Sequence, residues 1–78
     1  MLPRESFMKE IDQLLKMANQ IAANFRFHED GVARVADHLQ RFWAPVMIAQ
    51  LSDYLAGGGA GASDMVLRAF DRLHGERA

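Results

Sequence analysis

The sequence predicts an all-α fold, and three observations carry that prediction. Apolar residues recur at steps of three and four along most of the 78-residue chain, as they do on helix faces. No run alternates apolar and polar residues in the manner of a half-buried strand. Pro45 and the glycine-rich stretch AGGGAGA from Ala56 to Ala62 separate the periodic segments, as helix-breaking residues should. The expected architecture is one domain, residues 1–78. It comprises a small three-helix antiparallel unit, a hinge at about residues 57–62 and a short fourth helix at the C-terminal end.

The first helix is expected from Phe7 onward, where Phe7, Ile11, Leu14, Leu15, Ala18, Ile21, Ala22 and Phe25 repeat the helical spacing. Ser6 is read as its N-cap. Glu5, Glu10 and Asp12 sit near the positive end of the dipole and Arg26 near the negative end. A polar break, His28 to Gly31, follows, and Asp30 is positioned to cap a second helix. That helix carries Val32, Val35, Ala36, Leu39 and Trp43 on one side, with Arg34, Asp37 and Arg41 facing away. Pro45 has no amide hydrogen and forces Ala44 toward extended geometry, so the second helix should stop at Phe42 or Trp43 and a third should start at Pro45. In the third, Met47, Leu51, Tyr54 and Leu55 form the core stripe, whereas Val46 and Ala49 project outward. Gly57, Gly58, Gly59 and Gly61 end it and supply the hinge. Ser63 caps the fourth helix, whose Val66, Leu67, Ala69, Phe70 and Leu73 form an apolar arc wide enough to want a docking surface.

Composition excludes several function classes. Nine Lys and Arg against ten Asp and Glu give a formal net charge of -1, which leaves no electrostatic footprint for nucleic acid or anionic lipid. The absence of cysteine removes disulfides, thiolate zinc sites and cysteine-bound iron-sulfur clusters from this chain. No apolar run reaches signal-peptide or membrane-spanning length, so a soluble cytoplasmic protein is expected. Gly57, Gly59 and Ala62 match only the loosest dinucleotide fingerprint, and the strand that should precede it is missing. His28, His38 and His74 lack the spacing of three or four that puts two ligands on one helix face. Ser6 and Ser63 are caps, Ser52 lies on a polar face, and adjacent Asp37 and His38 point apart. No catalytic, metal-binding or cofactor-binding residue is assigned.

Contact surfaces are the more informative feature. Phe42, Trp43 and Pro45 read either as a helix-corner core or as a rigid aromatic contact for a partner. Met47 reads as core, whereas Met8, Met17 and Met65 are divided between core and interface. A free helical regulatory or DNA-binding module is the alternative reading, though Pro45 to Leu55 offers only Gln50 to read base edges. Self-association of the isolated chain is a further alternative.

Three blocks, LLKMANQIAANF, VADHLQRFWAP and GGGAGASDMVLRAF, resemble the small delta subunit of cytoplasmic, NAD-dependent, molybdenum- or tungsten-containing formate dehydrogenases. The resemblance runs from Leu14 to Phe70 and rests on Met17, Ala18, Asn19 and Ile21, on Ala36, His38, Leu39, Arg41, Phe42, Trp43 and Pro45, and on Gly58, Gly59 and Gly61. Where the family tends to carry basic residues after the proline, this chain has Val46, Met47 and Ile48. The resemblance implies a non-catalytic accessory subunit in a complex that oxidises formate and reduces NAD. It implies no cofactor on this chain: bis-molybdopterin guanine dinucleotide and iron-sulfur clusters belong to the alpha subunit, FMN and further clusters to the beta and gamma subunits. The alpha subunit is the expected partner, with support of assembly, cofactor insertion or stability as the role. On that reading Arg41, Phe42, Trp43, Pro45 and Val46 dock on the partner, and the hinge lets the helix bearing Phe70 swing onto it or back onto the bundle.

Overall fold

The computed structural model describes the backbone of residues 2–77 and the side chains of residues 10–75. Four helices follow in order: α1 Leu2–Phe25, α2 Gly31–Phe42, α3 Pro45–Ala56 and α4 Asp64–Arg77. The described residues contain no strand. None of the helices is long and apolar enough to cross a membrane.

α1 starts earlier than its periodicity suggested, so Ser6 lies within the helix and not at its cap. Pro3 is compatible with this start because the first-turn amides have no helical acceptor to lose. The side chains of Phe7 and Met8 lie outside the described residues. From there the expected face holds: Leu14, Ala18 and Ala22 are buried, with Leu15, Ile21 and Phe25 packed beside them. Two alanines in that row let neighbouring helices approach closely.

The turn after α1 closes through the His28 amide donating to the Phe25 carbonyl (3.0 Å) and the Gly31 amide donating to the His28 carbonyl (3.1 Å). Asp30 occupies the N-cap position of α2, but its side chain makes no capping bond. Its carboxylate accepts instead from Arg34 Nε at 2.8 Å, and this hydrogen bond with the guanidinium charge holds the carboxyl below its ordinary range. α2 buries Val35, Ala36 and Leu39, as its spacing required. Ala44 is extended (φ -65°, ψ 146°) and Pro45 opens α3, also as expected. α3 buries Ile48 and Leu51, while Met47, Tyr54 and Leu55 pack at the edge; Val46 remains exposed.

The main departure concerns α4. Its Val66, Ala69, Phe70 and Leu73 are buried, and α2 with α4 forms the most extensive helix pair of the molecule. The apolar arc therefore finds its docking surface inside this chain. The core is shared by four helices, and α4 is a full wall of it, because the face of α2 carrying Val35 and Leu39 would otherwise stay wet.

Candidate functional site

Residues Arg41 to Val46 form a corner at which α2 ends and α3 begins. Three stripes of α2 arrive there, each pairing residues four apart. Leu39 and Trp43 point inward, at 0% and 6% exposure. His38 and Phe42 form the next stripe, their rings 4.7 Å apart. Asp37 and Arg41 form the outermost, joined by an ion pair of 2.9 Å between exposed groups, worth about 0–1 kcal/mol.

This geometry divides the residues expected at a partner surface. Phe42 is 71% and Val46 62% exposed, and Arg41 and Pro45 are exposed beside them. Trp43 and Phe70 lie mostly in the chain's own core, so each offers a partner an edge at most. Trp43 follows Leu39 by one helical turn and its amide donates to the Leu39 carbonyl (2.9 Å), which carries the indole down the buried side. Phe42, one residue earlier, is turned away by about 100°.

A groove of about 560 Å³ runs beside Phe42. Gln13, Lys16, Met17, Gln20 and Ile21 of α1 line it on one side, with His38, Phe42, Trp43 and Met47 on the other. Met17, divided between core and interface in the sequence, is 39% exposed there; Met65 packs against the core. Phe25 lies 6.5 Å from His38 and 5.7 Å from His28, ring to ring, so an aromatic row runs from the α1 turn to the corner. Phe27 was not singled out in the sequence, yet it is 87% exposed, with the Arg26 guanidinium 4.7 Å from its ring centre.

The glycine segment is hydrogen-bonded to α1 and α3. Gly58, Gly59 and Gly61 have φ of 134°, 65° and 89°, a region that side chains with a Cβ avoid. The segment is tied down on both sides. Asn19 Nδ2 donates to the Gly61 carbonyl (2.9 Å), and the Ser63 amide donates to Asn19 Oδ1 (3.0 Å). Tyr54 Oη donates to the Ala60 carbonyl (2.6 Å). Ser63 Oγ then accepts from the Val66 amide (3.3 Å), so the expected cap of α4 is present. Asn19 had one legible signal: asparagine is a poor helix-interior residue, and it interrupts the apolar side of α1. Asn19→Ala should cost about 1–2 kcal/mol, from two hydrogen bonds lost. Chemical denaturation reads the cost, and faster hydrogen exchange at the Ser63 amide identifies its source.

Chemically, the corner and groove present aromatic and thioether surface with few charges. Among the described residues no three His, Cys, Asp or Glu side chains gather as metal ligands would. His28 and His74 are exposed and His38 is half-buried. The Ser52 hydroxyl is buried without a hydrogen-bond partner.

Comparison with known families gives one finding. The model described as NADH-dependant formate dehydrogenase delta subunit FdsD matches residues 13–70, a stretch that holds the whole groove, the corner and the glycine segment. No curated protein and no solved structure matches the chain.

Proposed function

Since this chain belongs to the FdsD family of NADH-dependent formate dehydrogenase delta subunits, we propose that it is a non-catalytic accessory subunit that binds the alpha subunit. Its role is to support assembly, molybdenum-cofactor insertion or stability of that catalytic chain in the cytoplasm. The complex oxidises formate to carbon dioxide and reduces NAD. Its bis-molybdopterin guanine dinucleotide, iron-sulfur clusters and FMN are assigned to the alpha, beta and gamma subunits.

The observation that carries the contact is the exposure of Phe42 and Val46 at a corner fixed by Pro45. Aromatic side chains presented on rigid backbone are frequent anchors of protein interfaces, because burying them removes much apolar area at little entropic cost. Arg41 sits at the rim and must share its guanidinium with Asp37.

Phe42→Ala combined with Val46→Ser should leave the fold intact and weaken capture of the alpha subunit by about tenfold or more. The measurement is co-purification from cells expressing all four subunits, with circular dichroism as the folding control. Formate-dependent NAD reduction and the molybdenum content of the alpha subunit should both fall when this chain is omitted. Unchanged recovery of the double variant would remove the corner from the interface. Unchanged metal content without the chain would remove the insertion role.

A further inference from the structure

We propose that the groove between α1 and the α2–α3 corner receives an amphipathic helix of the alpha subunit, with apolar anchors facing the groove and an acidic residue meeting Lys16. This inference rests on the accessory-subunit reading and specifies the chemistry of its contact.

The groove has the character of a helix-binding site. Met17, Ile21, Trp43 and Met47 supply apolar surface, and methionine adapts to irregular shapes without strain. The His38 and Phe42 rings, tilted by 46° at 4.7 Å, form one wall. The other wall is a ridge of Gln13, Lys16 and Gln20, spaced by three and four on one face of α1. From the first to the last of these the helix rises about 10 Å, close to two turns of a partner helix with anchors at i, i+3 or i+4, and i+7.

Charge selects the occupant. Among the described residues, Lys16 supplies the only lysine or arginine charge lining the groove, and no carboxylate lines it. Lys16 also differs from other described basic residues. Arg34, Arg41 and Arg68 each pair with an aspartate four residues earlier, and Arg26 lies over Phe27. Asp12 precedes Lys16 by the same four residues, yet among the described residues Lys16 forms no ion pair. A cation left unpaired beside an apolar groove complements a carboxylate on the rim of an incoming apolar helix face. The glutamines on either side donate and accept, so they tolerate the polar flank of that helix.

The test uses the full chain co-expressed with its alpha, beta and gamma subunits. A photo-crosslinking residue at Met17 should join the alpha subunit within an amphipathic helix that bears Asp or Glu, whereas the same residue at Arg68, outside the groove, should not. Lys16→Glu should weaken the complex by about fivefold or more, and Lys16→Gln by less, with the wild-type affinity falling as salt rises. Circular dichroism should show both variants folded, because Lys16 is an exposed helix residue. If the complex forms but Met17 joins a second copy of this chain, a basic segment or nothing, the groove proposal fails while the accessory-subunit reading stands. It fails in the same way if Lys16→Glu binds like wild type. If the wild-type chain captures no alpha subunit, both fall together.

Discussion

Trp43→Ala should destabilise the isolated chain by about 3–5 kcal/mol, the range for removing a large aromatic from a packed core. Trp43 is only 6% exposed and belongs to the cluster built by Leu39, Ile48, Leu51 and Leu73 with the buried side chains of α1. Its loss opens a cavity where α2, α3 and α4 meet. A single core in a domain of this size rarely supplies more than about 3–5 kcal/mol, so the variant should be largely unfolded at 25 °C without its partner. Circular dichroism under urea measures this directly. In the wild type, the single tryptophan also reports unfolding through the change in its fluorescence as it meets water. Phe42→Ala, at the neighbouring position, should change stability by less than about 1 kcal/mol because its ring is mostly in solvent. The pair separates the fold from the interface: one variant fails alone, the other fails only in company. A Trp43→Ala chain as stable as wild type would overturn the burial of the indole.

Gly31→Ala should cost about 1–3 kcal/mol, although alanine is ordinarily the better helix former. A methyl group built at Gly31 would stand 2.6 Å from the Phe25 carbonyl oxygen and 2.7 Å from Met65 Cε. The thioether end can swing away. The carbonyl cannot, because it is backbone at the end of α1 and accepts from the His28 amide. The turn between α1 and α2 would have to open, carrying Phe25 with it and weakening the aromatic row that ends at His38 and Phe42. Gly75→Ala is the control. It lies in α4 with nothing within 4 Å of the added methyl, and should stabilise the chain by about 0.5 kcal/mol. Urea midpoints for the two variants should move in opposite directions. Equal upward shifts of both midpoints would show that helix propensity, and not the close approach at Gly31, governs both sites.

Much of this molecule was legible locally. The core faces of α1, α2 and α4 follow from three-and-four spacing, which needs no knowledge of neighbours. The break at Ala44 follows from the steric demand of Pro45, and the cap at Ser63 from a hydroxyl within reach of the amide of Val66. Local reasoning failed at two helix starts: at Ser6, which α1 runs past, and at Asp30, where Arg34 competes for the carboxylate that would have capped α2. Ile48 joined the core without having been placed there. The corner was legible as a helix break flanked by aromatics, but those aromatics could not be sorted.

By itself, then, the sequence determined four helical segments, their breaks and the family to which the chain belongs, because periodicity, proline geometry and residue identity act over a few positions. The tertiary structure alone decided which corner aromatic faces outward, since neighbouring helix residues diverge by about 100° and only the placement of α3 and α4 makes one direction dry. It likewise decided which hydrogen bonds the glycine segment receives. The side chain that holds it, Asn19, lies 42 residues from Gly61, a separation across which no local pattern can report contact.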